Sequence, residues 1–181
     1  MAATIPPATS AAAAPAAEAT RGPEPARAAA PAALAGESAR LAIRIGEARY
    51  LLDMSDTGEI VPLPPVTPVP WTKPWFLGLA NVRGRLLGIV DLPRLCGEAP
   101  ISADDSTQVL VVNESLRVNV GLLITRAFGL RNLRDLELVD PGAAPRRPWE
   151  SRSFRDADGS TLIELDLRRL ATHEDFASIG A

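Results

Sequence analysis

The tripeptide Asp56-Thr57-Gly58 is the first group of residues in this sequence that could carry chemistry. Aspartic proteases contain the same tripeptide, and their reaction needs two carboxylates that share a proton at close range. A chain of this length could supply one carboxylate and obtain the second by dimerising. Glu59 adds a further charge directly after the tripeptide, which favours a plain turn. A dimeric aspartic hydrolase using Asp56 is kept as an alternative function.

Three other features could bind a metal or act as a nucleophile. Asp156-Ala157-Asp158-Gly159 begins like a calcium loop, but Leu167 stands where an EF-hand has its bidentate Glu, so a hairpin turn is predicted. His173 is the one histidine of the chain, and we expect it to be a solvated surface residue. Cys96 is the one cysteine and is predicted to be a small buried side chain. The sequence therefore predicts no catalytic residue, metal or cofactor.

The segment Asn81-Val82-Arg83-Gly84 has the residue types of a binding turn. An Asn side chain can accept a hydrogen bond from the neighbouring backbone, and Gly84 can adopt a positive φ. Arg83 offers five donors in a fixed geometry that suits a carboxylate or carbonyl partner. A β-turn with one solvated arginine is the alternative interpretation.

Short strands dominate the predicted elements that would position these residues. Apolar residues at 41, 43 and 45 alternate with Ala and Arg, which indicates a half-buried strand. The continuous apolar run Leu86–Val90 is typical of a strand buried on both faces. Asp91 and Asp166 are each placed to cap a short helix, and the second helix is predicted over Leu167–Phe176.

Prolines and polar connectors divide these elements. Five prolines within residues 59–70 exclude a helix and any central strand, whereas Trp71–Leu79 is predicted to hold one helical turn. Strands are predicted at 108–112 and 116–124. A polar connector at 98–106 separates two halves that each end in a strand, an Asp-Leu pair and a short helix. This repeated order predicts a mainly β fold of two small barrels that meet near 98–106.

Residues 1–38 differ in composition from the rest of the chain. They are rich in alanine and proline and contain no aromatic residue, so we predict a disordered tail ahead of a folded domain at 39–181. They also lack the pattern of a secretory signal, and the chain has no apolar run long enough to span a bilayer. These features predict a cytoplasmic protein without direct membrane insertion.

Charge and aromatic content bear on the class of partner. The 181 residues carry a formal net charge of −3, and aromatic residues make up 4% of the chain. A barrel that binds single-stranded nucleic acid needs aromatic platforms on a basic groove, so we expect no nucleic-acid partner. Trp71 and Trp75 lie beside the proline-rich segment, where one ring could stay exposed as an anchor for a protein.

Several segments together resemble CheW-like chemotaxis coupling domains. Gly78-Leu79-Ala80-Asn81-Val82-Arg83-Gly84 is followed, at the family's spacing, by Ile89-Val90-Asp91-Leu92, and Glu59-Ile60 lies at the expected distance upstream. The segment Trp71–Phe76 and the ending Glu174–Gly180 are similar to the PilI branch, the coupling proteins of type IV pilus twitching systems.

The resemblance implies a CheW-like fold of two five-stranded SH3-like β-barrels with short helices, one of them at the C-terminus, and it implies no catalysis. It also implies a scaffold that couples the tip of a methyl-accepting chemoreceptor to the regulatory domain of a CheA-type histidine kinase. By motif match, Asn81, Arg83 and Gly84, with Val82 between them, fall in the receptor-side motif of the family. Glu59 falls at a position of partner contact. Flagellar chemotaxis in place of twitching motility is an alternative output.

Two positions depart from the family pattern. Gly88 stands within the apolar strand where the family usually has proline, and Ile124-Thr125 replaces a Val-Asp pair in the second half. The missing carboxylate removes any charged contact from that turn, which predicts a changed partner specificity.

Overall fold

A computed structural model of the chain describes residues 38–140 and 147–181, so the predicted tail at 1–38 lies outside the described residues apart from Ser38. The strands are β1 (Ala39–Ile45), β2 (Ala48–Asp53), β3 (Thr57–Pro62), β4 (Phe76–Val82), β5 (Arg85–Val90), β6 (Gln108–Val112), β7 (Val120–Ile124), β8 (Arg126–Asn132), β9 (Glu137–Val139), β10 (Glu150–Arg155) and β11 (Thr161–Leu165). The helices are α1 (Leu92–Leu95), α2 (Leu167–Thr172) and α3 (Glu174–Ala177). No helix within the two described ranges has the length and apolarity that crossing a membrane requires.

The eleven strands of the described residues form two sheets, and one sheet is inserted in the chain between two parts of the other. One sheet has six strands in the order β8-β1-β2-β11-β10-β9, and the other has five in the order β3-β6-β7-β5-β4. The chain therefore leaves the six-stranded sheet after β2, completes the five-stranded sheet, and returns at β8. Residues 98–106 connect α1 to β6, and the strands on both sides of them belong to the five-stranded sheet. The prediction that two subdomains meet near 98–106 is wrong for this reason.

The six-stranded sheet is curved, because two strands adjacent in the chain stand at its opposite edges. β8 and β9 are joined by four residues, which include the 3₁₀ turn Leu133–Asp135. Five residue steps span at most about 17 Å, whereas the edges of a flat six-stranded sheet would lie about 24 Å apart. Among the described residues, no ladder of hydrogen bonds joins the outermost strands of either sheet. The mainly β fold is confirmed, but the prediction of two closed five-stranded barrels is corrected to two sheets of six and five strands, with no closing ladder between the described edge strands of either sheet.

Both faces of several strands are buried, which explains the apolar runs in the sequence. Along β7, Leu122 and Ile124 belong to the largest apolar cluster, while Leu123 points to the opposite face and packs in a second cluster. β6 divides in the same way, with Leu110 in the first cluster and Val109 in the second. The largest cluster contains side chains from both sheets, so it is the core that they share.

Local signals set the helix starts correctly but not every helix end. The Asp91 side chain accepts a hydrogen bond from Arg94 N (3.2 Å) at the start of α1, and Asp166 accepts from two backbone N–H groups at the start of α2. The helix predicted over Leu167–Phe176 is interrupted at His173, which ends α2 and caps α3. The helical turn predicted at Trp71–Leu79 is also wrong, because Trp71–Trp75 form turns and an isolated bridge, and Phe76–Leu79 belong to strand β4.

Candidate partner-binding surface

The Asn81–Gly84 motif forms the tight turn of the β4–β5 hairpin. Val82 pairs with Arg85, which leaves Arg83 and Gly84 as a two-residue loop. Their φ angles are 50° and 84°, as a type I′ turn requires. Glycine adopts this backbone region without strain, whereas an arginine in it costs about 1–2 kcal/mol. The prediction of a positive φ at Gly84 is confirmed, and Arg83 is held in the same region at an energetic cost.

Asn81 stabilises this turn with its side chain. Its Oδ1 accepts a hydrogen bond from Gly84 N at 2.9 Å, in the manner that the residue types predict. The space around Gly84 is open, since a Cβ added there would meet no atom within 4 Å. Gly84 is therefore required for its backbone conformation and not for close packing.

Glu59 lies in strand β3, and its side chain forms an ion pair with Arg83. Oε2 of Glu59 lies 3.0 Å from Nε of Arg83, and the two side chains are 36% and 77% exposed. The structure thus brings Glu59, which the resemblance gave separately as a position of partner contact, to the turn that contains Asn81, Arg83 and Gly84. We call these four residues the Arg83 surface. Because Arg83 is largely solvated, a partner carboxylate or carbonyl can reach the donors on its outer side.

Val82 and Leu86 correct the predicted membership of this surface. Val82 is 6% exposed and packs in a core cluster, so its predicted partner contact is wrong. Leu86, predicted to lie in a buried strand, is 59% exposed and pairs across the hairpin with Asn81. Residues opposite each other in a hairpin share a face, so the register of a two-residue turn would have placed Leu86 beside Asn81.

The two tryptophans near the proline-rich segment have opposite environments. Trp71 is 87% exposed, with a φ of 60°, whereas Trp75 is 5% exposed and stacks on Phe176 with ring centroids 5.9 Å apart. The turn that carries Trp71 is tied to the C-terminus, because Ala181 N donates to its carbonyl oxygen at 3.0 Å. Trp75 cannot serve as the predicted partner contact, since its ring belongs to the shared core.

Asp56 is not arranged as a catalytic carboxylate. Nε of Arg168 donates to Oδ2 of Asp56 at 3.0 Å, and Nη2 of Arg168 donates to Oδ1. One guanidinium occupies both oxygens of Asp56, whereas the aspartic protease mechanism needs two carboxylates that share a proton at close range. The geometry does not favour the hydrolase alternative.

The remaining sequence candidates have structural roles. Burial raises the pKa of the Cys96 thiol to about 11, so the thiol is protonated at neutral pH. Residues 156–159 form the hairpin turn between β10 and β11, as predicted, with a φ of 80° at Gly159. The expectation of a solvated His173 is wrong, because its side chain is 27% exposed and its ring packs edge-on against Trp149 at 4.9 Å.

Comparison with known proteins decides the family. The family model of the CheW-like domain matches residues 40–175, which include both sheets and the Arg83 surface. The chain belongs to the CheW family. Protein PilI of Pseudomonas aeruginosa is 35% identical over 143 residues, which cover 77% of this chain and 79% of that protein. The chemotaxis protein CheW of Thermotoga maritima is 25% identical over 131 residues, or 72% and 85% of the two chains.

A solved CheW structure supports the same fold. The crystal structure of the scaffolding protein TtCheW from Thermoanaerobacter tengcongensis matches with a TM-score of 0.64 at 18% identity. The match covers 78% of this chain and 97% of that one. The CheW-like fold predicted from the sequence is thereby confirmed.

At both positions that depart from the CheW sequence pattern, the residue contacts another part of the fold. Gly88 lies against the Phe76 ring, and a Cβ added to Gly88 would stand 2.6 Å from Cε2 of that ring. Thr125 accepts a hydrogen bond from Gly46 N through its Oγ1 at 3.2 Å, where the chain returns from β7 to β8. Thr125 therefore contacts the β1–β2 turn of the six-stranded sheet.

Proposed function

We propose that this CheW-family chain is a non-catalytic adaptor that couples a methyl-accepting chemoreceptor to a CheA-type histidine kinase. Membership of the family supports the adaptor role, and the relative named PilI, which is 35% identical, supports an output through type IV pilus twitching motility. The observation that carries the proposal is the Arg83 surface, where an arginine in a strained turn faces solvent beside Glu59.

The Arg83 surface suits a protein ligand. Arg83 and Glu59 offer both charges, Asn81 is exposed, and Leu86 adds an apolar side chain on the same hairpin face. Backbone strain retained at an exposed residue points to a role in binding. The helical tip of a chemoreceptor, with apolar and polar side chains on one face, is the partner of this chemistry that we propose. Such a complex would form in the cytoplasm.

Binding of two purified partners tests this function. We expect the full chain to bind the regulatory domain of the kinase and a receptor-tip hairpin in titration calorimetry at concentrations up to about 50 µM. Arg83→Ala should weaken receptor binding about fivefold, since a partly solvated charged contact contributes about 1 kcal/mol. The same substitution should leave kinase binding unchanged. Absence of both complexes would contradict the adaptor function.

A deletion of the gene distinguishes the two outputs. Loss of twitching with normal swimming is expected for the pilus pathway. Loss of swimming would instead favour flagellar chemotaxis, to which the relatives named chemotaxis protein CheW point. Complementation with the Arg83→Ala variant should restore motility less well than complementation with the wild-type chain.

A further inference from the structure

An ion pair joins helix α2 to the connection between the two sheets. Arg168, in α2, engages both carboxylate oxygens of Asp56, which lies between β2 and β3. The Asp56 side chain is 7% exposed, whereas that of Arg168 is 61% exposed. A two-point contact of this kind fixes orientation as well as distance. The pair therefore holds the chain at the point where it enters the five-stranded sheet.

Asp56 directly precedes β3, which is an edge strand. β3 has β6 as its neighbour in the sheet, and Thr57 pairs with Val112 at the end of β6. The carbonyl oxygen of Asp56 accepts a hydrogen bond from Asn113 N at 2.9 Å. The start of β3 is thus held from one side by the end of β6 and from the other by α2.

The position of Glu59 depends on how β3 starts. The register between β3 and β6 shifts between Thr57 and Ile60, so Gly58 and Glu59 lie in a β-bulge. A bulge redirects a side chain and leaves it without a directly opposed partner residue. A Cβ added to Gly58 would stand 3.0 Å from Val111 O, which shows how closely the bulge approaches β6. A displaced β3 start would therefore redirect Glu59.

We propose that Arg168 is a positioning residue for the Arg83 surface. By holding Asp56 it fixes the start of β3, which sets the bulge that directs Glu59 toward Arg83. Helix α2 is in this way coupled to the turn that carries Arg83. The significance of this coupling for partner binding rests on the proposed function, but the coupling itself can be measured in the isolated protein.

Arg168→Gln and Arg169→Gln form a matched pair of variants. Both arginines lie in α2 with nearly equal exposure, 61% and 63%, but Arg169 pairs with Asp166 of its own helix cap. The readout is the side-chain Nε–Hε resonance of Arg83 in the full chain, with Glu59→Gln as the reference for a broken pair. We expect Arg168→Gln to move this resonance toward its position in Glu59→Gln. Arg169→Gln should leave it at the wild-type position.

Receptor binding supplies a second readout. Arg168→Gln should weaken binding of the receptor-tip hairpin by about 2- to 30-fold, which is the range for mutations that act on a site through a connecting network. Arg169→Gln should bind like the wild type. If the wild-type chain does not bind the hairpin, the proposed function fails, while the Arg83 resonance still decides whether Arg168 positions Glu59.

A second substitution guards against a general loss of structure. Asp56→Asn removes the charge while it keeps the shape of the side chain, and it should shift the Arg83 resonance in the same direction. An unchanged resonance in both Arg168→Gln and Asp56→Asn would overturn the proposal, and so would an equal shift in Arg169→Gln. Failure of both variants to fold would also overturn it, because the pair would then maintain the whole fold and not the site.

Discussion

Glu164 in the six-stranded sheet and Arg83 in the five-stranded sheet carry their charges in different ways. Glu164 is 13% exposed and accepts hydrogen bonds from Arg152, Ser151 and Arg40. Arg83 stands on a strained turn, pairs with Glu59 and leaves most of its side chain in solvent. One charge is satisfied within the protein, and the other faces solvent, where the proposed function places a partner. The difference shows that the six-stranded sheet uses a charged residue to hold neighbouring strands together, whereas the five-stranded sheet leaves one accessible at its surface.

The largest effect on stability is expected from a substitution in the core that the two sheets share. Trp75→Ala removes a ring that stacks on Phe176 and packs edge-on against Phe76, so the free energy of unfolding should fall by about 3–5 kcal/mol. Both sheets should then unfold at a lower urea concentration in circular dichroism. The control is Trp71→Ala, which removes a ring that is 87% exposed and should change stability by less than about 0.5 kcal/mol. Equal effects of the two substitutions would contradict this assignment of the core.

A smaller loss of folding stability is expected from crowding within the five-stranded sheet. Gly88→Ala places a methyl group 2.6 Å from Cε2 of Phe76, and the resulting displacement should cost about 1–3 kcal/mol. Urea denaturation of the full chain measures this change. Gly180→Ala is the control, because a Cβ there meets no atom within 4 Å. If Gly88→Ala were neutral, packing against Phe76 would not explain why glycine stands at this position.

The contribution of the Glu164 charge to stability should depend on pH. Burial raises the pKa of Glu164, but hydrogen bonds from Arg152 and Ser151, with the charge of Arg152, outweigh burial and lower the pKa from 4.5 to about 2. The ionised carboxylate therefore stabilises the fold above pH 4.5, and this stabilisation is lost as the pH falls toward about 2.

Glu164→Gln tests this linkage. We expect it to lower the free energy of unfolding at pH 7 by about 1–2 kcal/mol, with allowance for solvent screening. The difference in the free energy of unfolding between wild type and variant should become smaller as the pH falls. Glu47→Gln, at a side chain that is 99% exposed, should show no such pH dependence. A gap that stays constant from neutral to acid pH would contradict the role of the Glu164 charge.

The smallest effect on stability is expected at the turn. Arg83→Ala and Arg83→Asn both remove the ion pair with Glu59, but Asn adopts a positive φ more readily than Ala. The Asn variant should therefore be more stable than the Ala variant by about 1 kcal/mol in thermal unfolding. Both should lose receptor binding equally. Equal stability of the two variants would mean that the backbone at Arg83 is not strained.

Features encoded over a few residues could be predicted from the sequence. The strand at Leu86–Val90 follows from its apolar run, and Asp91 and Asp166 cap their helices because a carboxylate there accepts from nearby backbone N–H groups. The Asn81–Gly84 turn follows from its residue types and contains most of the candidate site. These features depend on neighbours in the chain, which the sequence displays directly.

Features set by distant contacts could not be predicted in the same way. Asp56 and Arg168 are 112 residues apart, and no local sequence pattern predicts that their side chains form an ion pair. The exposure of Trp71 and the burial of Trp75 depend on Phe176 and the C-terminal residues, although both tryptophans occur in one short segment. The sheet assignment failed because 98–106 has the composition of a boundary but connects strands of one sheet.

The order of the strands also determines when each part of the fold can assemble on the ribosome. The five-stranded sheet lies within the chain like an insert, and its last strand ends at Ile124. In the six-stranded sheet, β2 lies between β1 and β11, and β11 ends only at Leu165. The pairing of β2 with β11 therefore forms later in synthesis. Nearby segments associate faster than distant ones. The turn that carries Arg83 is thus complete in the nascent chain before Arg168 has been synthesised.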